Sequence, residues 1–157
     1  MSTSSVLSSS AMYIYKITTD APNVSTTADP TAPVLPPSAL DLSSGYIHMS
    51  TAGQVRNTLA AFFPTSEEGC EEVYLLRCLA SSFGSVELLW EGASTDGGAG
   101  PRDAEGRFPH LYLASQGKKR LSLEVREVEG VRKVVCGVGE VGWDVHLERL
   151  VDEGWLV

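Results

Sequence analysis

Gly45-Tyr46-Ile47-His48-Met49-Ser50-Thr51-Ala52-Gly53-Gln54-Val55 holds two hydrophobic periods in eleven residues. Tyr46 to Met49 alternates, which predicts a strand. Thr51 and Gln54 then stand at capping-box spacing, with Val55, Leu59 and Phe62 following at i, i+4 and i+7. A strand that runs directly into a helix is therefore expected. Alternation places Ile47 and Met49 on a core face, and Tyr46, His48 and Ser50 on the other. That second face precedes a helix N-terminus, whose free N–H groups favour an anion or a carbonyl oxygen. An imidazole inside an ordered apolar segment is costly unless hydrogen-bonded or used. His48 is accordingly a candidate proton-handling group, and Tyr46, Ser50 and Thr51 are candidate ligand contacts.

A second stretch repeats the pattern. In Phe108-Pro109-His110-Leu111-Tyr112, His110 shares a face with Phe108 and Tyr112. Pro109 cannot donate to a ladder, which suggests an edge strand or a strand start. Trp90-Glu91 closes another apolar run; Glu91 could orient an imidazole or act as a carboxylate base, and Trp90 could form a pocket wall. Catalytic candidates are thus His48, His110 and Glu91, with Tyr112 beside them as a ligand contact. The plainer alternative is that both histidines only tie down neighbouring loops. His146, on an expected surface helix, reads as solvated.

The remaining elements follow from pattern. Met12–Thr18, Val73–Cys78 and Val86–Trp90 read as strands, and Leu121–Val128 alternates with Val131–Cys136 as its hairpin partner across Gly130. The five prolines between residues 19 and 44 favour a meandering ordered loop. A glycine-rich loop spans 91–107, expected to be disordered or a lid. Asp144 is the expected cap of a short last helix ending at Gly154. The expected fold class is α+β: one domain over 12–157, a split, mainly antiparallel sheet and one or two short helices, behind a disordered tail over 1–11.

Composition narrows the partners. The 157 residues carry a net charge of −8 and 43% apolar side chains, which argues against a broad nucleic-acid surface or an anionic membrane. An anionic substrate would need Lys16 or Arg107 to point inward. Cys70, Cys78 and Cys136 have no metal-ligand spacing and read as reduced structural thiols, so no metal is expected. The Ser-rich start lacks the basic and apolar regions of a secretory signal, so a cytoplasmic location is expected. His48-Met49-Ser50 has the His-x-Ser form of two-histidine phosphoesterases, but the other copy would be His110-Leu111-Tyr112, which lacks the matching hydroxyl residue. The oligomeric state is open.

The ordered set Tyr15–Thr18 (YKIT), Asp41, 45–55 (GYIHMSTAGQV), Phe62-Phe63, Leu89-Trp90-Glu91 and 108–112 (FPHLY) resembles the DUF952 family, a domain of unknown function. The resemblance implies similarity in fold to the ADP-ribosyltransferase superfamily, whose split antiparallel sheet surrounds an NAD-binding cleft. NAD is a candidate cofactor by that analogy only. Lys16 then falls where such enzymes usually have Arg or His and becomes a candidate ligand contact, while His110 falls where the catalytic Glu is expected. ADP-ribosyl transfer and NAD hydrolysis therefore do not carry over. The expectation is an enzyme-like domain with a two-histidine cleft acting by acid/base chemistry on a small, nucleotide-like ligand. A non-catalytic binding or protein-interaction module, and a small-molecule isomerase or cyclase, are the alternatives.

Overall fold

The computed structural model describes residues 11–24, 29–63, 71–92, 106–137 and 142–157. Residues 1–10 of the expected tail over 1–11, Cys70 and most of the glycine-rich loop thus lie outside the described residues. Three antiparallel sheets carry the fold. The first is ordered β1 (Tyr13–Thr18), β3 (Glu72–Leu79), β8 (Gly130–Val135). The second is ordered β2 (Ile47–His48), β5 (Arg107–Leu111), β4 (Leu88–Gly92), and the third is the hairpin β6 (Leu113–Ser115) and β7 (Lys118–Arg120). Helices α1 (Ala39–Ser44), α2 (Ala52–Phe62) and α3 (Asp144–Asp152) complete the α+β domain.

Two cores form because the first sheet buries both faces. Tyr15, Val73, Leu75 and Val134 pack against Val55 and Leu59 of α2 and Leu147 and Leu150 of α3. Ile14, Leu76 and Cys78 point the other way and meet Ile47, Met49 and Leu111 of the second sheet. The near-continuous apolar run of β3 from Val73 to Leu76 follows from this sandwiching. The two sheets touch where Tyr15 and Ser50 exchange backbone hydrogen bonds, each 2.8 Å long. Beyond that bridge, the cleft described below is lined by the end of β1 and by β2.

Several expectations need correction. Residues 121–128 form no strand: Val34 N–H donates to the Leu123 carbonyl and Val125 N–H to Ala32, with a 3₁₀ turn at Val125–Glu127. Their alternation comes from docking the proline-rich segment on one side, and β8 pairs with β3 instead of closing a hairpin. Val86 is 80% exposed and belongs to a turn, so β4 begins at Leu88. Glu91 and Gly92 belong to β4 and Arg107 to β5, which shortens the expected loop. Pro109 sits in the central strand of its sheet, not at an edge. Its carbonyl accepts from Met49 N–H just past the end of β2, so its missing donor falls where the ladder has already stopped.

The proline-rich segment also hides α1, which Ser38 caps by accepting from Asp41 N–H and which Gly45 ends at φ 83°. The β6–β7 hairpin turns through Gln116 and Gly117, both at positive φ as a two-residue primed turn requires. Trp143, not Asp144, occupies the cap position of α3. His146 is not simply solvated, because its Nδ1 accepts from Val135 N–H on β8.

Candidate functional site

His48 and His110 are direct cross-strand partners on β2 and β5. Equal register in an antiparallel pair puts both rings on one face, and their centroids lie 5.3 Å apart. Tyr46 stacks on His110 at 4.2 Å and lies 4.6 Å from His48. Tyr112 stands 5.1 Å from Tyr46. The face turns toward α2, where Ser50 Oγ lies 3.4 Å from Thr58 Oγ1.

Each imidazole has its own carboxylate. Asp41 Oδ1 lies 2.7 Å from His48 Nδ1 and also accepts from His48 N–H, while Asp41 Oδ2 accepts from Lys16 Nζ at 2.6 Å. Lys16 Nζ also approaches the His48 carbonyl at 3.5 Å. Burial by itself would raise the Asp41 pKa, but the His48 hydrogen bond and the Lys16 ammonium outweigh it and hold the carboxyl below the usual carboxylate range. An ionised carboxylate only accepts, so His48 Nδ1 carries the hydrogen, and among the described residues Nε2 has no hydrogen-bond partner.

On the other strand pair, Glu91 Oε1 lies 3.0 Å from His110 Nδ1 and accepts from the Tyr112 hydroxyl at 2.6 Å. Burial lowers the His110 pKa, and the Glu91 hydrogen bond offsets this only in part. Burial and the bond to Glu91 together raise that of Tyr112. A neutral His110 with Nδ1–H directed at Glu91 exposes a basic Nε2.

A cavity of about 700 Å³ opens over this face. Lys16, Asp41, Tyr46, His48, Ser50 and His110 line it. Glu91 and Tyr112 stand behind His110 instead of at the wall. Arg107 is not among the lining residues, so Lys16 alone of the two basic candidates points inward. Trp90 pairs with Pro109 and packs against the second core, on the face away from the histidines. Thr51 caps α2, its N–H donating to Gln54 Oε1 at 3.0 Å, and borders a separate depression of about 470 Å³. The capping box expected from the Thr51/Gln54 spacing is thus formed. Cys78 is a buried thiol, and burial raises its pKa, which makes it a poor nucleophile; Cys136 is also buried. Among the described residues no group of three His, Cys, Asp or Glu could hold a metal ion, and no helix is long and apolar enough to cross a membrane.

Asp41 is the site residue that reasoning from strand periodicity does not reach. Its signal is the Ser38-x-x-Asp41 spacing of a helix start, obscured by the flanking prolines.

Fold and site together define a small α+β domain with two carboxylate–imidazole pairs side by side in one cleft. The chain belongs to the DUF952 family, described as a protein of unknown function, whose family model matches residues 19–131. It is also similar to the crystal structure of protein CC0527 from Caulobacter crescentus and to that of a double mutant of CC0527. Each is 29% identical, covers 87% of this chain and 98% of the other, and has a TM-score of 0.50. No curated protein matches.

Proposed function

We propose that the cleft is an acid/base site acting on a small molecule, with His110 as the base and His48 as the acid. The observation that carries this reading is the pair of imidazoles 5.3 Å apart, each with Nδ1 held by a carboxylate and Nε2 without a hydrogen-bond partner among the described residues. Neutral His110 accepts a proton from a carbon acid or hydroxyl through Nε2, and His48, when it carries a proton on both ring nitrogens, gives the Nε2 proton to an oxygen. His110 then delivers its proton to a different substrate atom and His48 recovers one from the oxygen, so the net change is a proton shift within the substrate. Asp41 and Glu91 are positioning residues that fix the tautomers.

The fold that accompanies this reading is an ADP-ribosyltransferase-like split sheet. Its support is the pair of antiparallel sheets joined at Tyr15 and Ser50 and lining a cleft beyond that bridge. Its chemistry does not follow, because His110 replaces the expected glutamate.

The test is a thermal-shift panel of NAD, ADP-ribose and uncharged carbonyl compounds, run on the wild type and on His48→Ala and His110→Ala shown to be folded by circular dichroism. Compounds that bind should lose binding in both variants. A bound carbonyl compound should exchange its α-protons with solvent deuterium, and His110→Gln should abolish the exchange. Binding without any such exchange would overturn the catalytic reading in favour of a binding module.

A further inference from the structure

We propose that the cleft takes an uncharged, largely apolar small molecule with one carbonyl end, not a phosphate-bearing nucleotide. This rests on the acid/base reading of the same site and specifies what that site accepts. The charges of the lining decide against phosphate. Lys16 is the one Lys or Arg among the described residues that line the cavity, and Asp20 and Asp41 oppose it. Lys16 is also already committed, 2.6 Å from Asp41 Oδ2. A pyrophosphate would have to draw that ammonium away from a buried carboxylate, leaving Asp41 only its hydrogen bonds from His48, and would place its own negative charges beside it. NAD therefore fits this set of residues poorly, whatever the sheet arrangement.

Much of the remaining wall is apolar. Leu35, Pro36, Pro37, Leu40, Phe62 and Leu121 line the cavity together with a few hydroxyl side chains. Phe62 is 70% exposed and Leu40 53%, so both would lose contact with water under a bound apolar body. The segment bearing Leu35 and the prolines is held in place by Val34 N–H on the Leu123 carbonyl at 2.9 Å, so its shape is set before any ligand arrives. A volume of about 700 Å³ suits a molecule of two or three rings or a short chain. Within this lining His48 Nε2, as the acid, and Ser50 Oγ can donate to one carbonyl oxygen while His110 Nε2 accepts a proton from the adjacent carbon.

The probes are 2-acetonaphthone as a neutral aryl ketone, with NAD and inorganic pyrophosphate as the anionic arms, added to the full chain. Melting temperature and ligand-observed NMR are the readouts. Saturable binding of the ketone, lost in His48→Ala and His110→Ala, with both anions silent, is the expected result. Phe62→Asp should weaken ketone binding about tenfold, since covering a phenyl side chain is worth enough for that factor. Leu40→Asp, on an exposed position of α1, repeats the test if Phe62→Asp does not fold. Stabilisation by NAD or pyrophosphate with the ketone silent would overturn the ligand class and leave the acid/base reading standing. Ketone binding that survives both histidine variants would do the reverse. Silence from all three probes would overturn the ligand class.

Discussion

Asp41→Asn separates the electrostatic role of this carboxylate from its shape. The side chain is 1% exposed and receives three donors: Lys16 Nζ at 2.6 Å, His48 Nδ1 at 2.7 Å and His48 N–H at 3.1 Å. At an effective dielectric constant of about 20, unit charges at the Lys16–Asp41 distance attract by roughly 6 kcal/mol, most of which desolvation cancels. An amide keeps one oxygen for His48 but leaves the Lys16 ammonium facing a neutral group in a nearly closed site. Breaking a buried pair costs about 3–5 kcal/mol, and the retained oxygen brings the expected loss to about 2–4 kcal/mol. Urea denaturation at pH 7 measures it. Because the folded pKa of Asp41 lies below its unfolded value, the carboxylate stabilises fully above the unfolded value, near 3.9, and this contribution disappears as pH falls through the folded value. The gap between wild type and variant should thus stay flat from pH 8 to 5 and close only below about pH 4. A gap under about 0.5 kcal/mol at pH 7, within the range of an ordinary surface substitution, would refute the argument. So would a gap that does not narrow with acid.

Three further outcomes are expected. Leu76→Ala, in the second core, should cost about 2–5 kcal/mol, and His110→Ala less than that while eliminating ligand binding; equal losses in urea titrations would make His110 a core tie. Because the folded pKa of His110 is depressed, its neutral form stabilises fully above the unfolded value near 6.5, and that stability falls as pH drops toward the folded value. A pH series of melting temperatures should show this slope, and His110→Gln should remove it. Gln54→Ala should cost about 1–2 kcal/mol by deleting both the cap on Thr51 N–H and the bond from Gln54 Nε2 to the Arg107 carbonyl, as read from denaturant midpoints.

Local signals made much of the fold legible. The Thr51/Gln54 spacing marks the start of α2, and the alternation through Ile47 and Met49 assigns the core face of β2. These succeed because the physics is contained within a turn or a strand. Leu121–Val128 misleads for the complementary reason. Leu123 is buried against the proline-rich segment, and the alternation records burial on one side without recording what supplies the cover. A period-2 pattern fits a docked loop as well as a ladder, and no local feature distinguishes them.

The site was legible in one dimension and hidden in another. Alternation put His48 with Tyr46 and Ser50, and His110 with Tyr112, but only the register of β2 against β5 makes the two imidazoles neighbours. Register is a tertiary quantity, set by which faces bury. The register of β4 against β5 explains in the same way why Trp90 turns away while Glu91, one residue on, reaches His110. Asp41 needed both an unforeseen helix and the fold-back that brings its end beside β2. Its position also makes the two dyads unequal. Asp41 is shared with an ammonium, whereas Glu91 is shared with a phenol that donates without carrying charge. His110, more buried, is driven toward its neutral form. That inequality is why we propose His110 on β5 as the base and His48 on β2 as the acid, since opposite proton-handling roles require environments that differ.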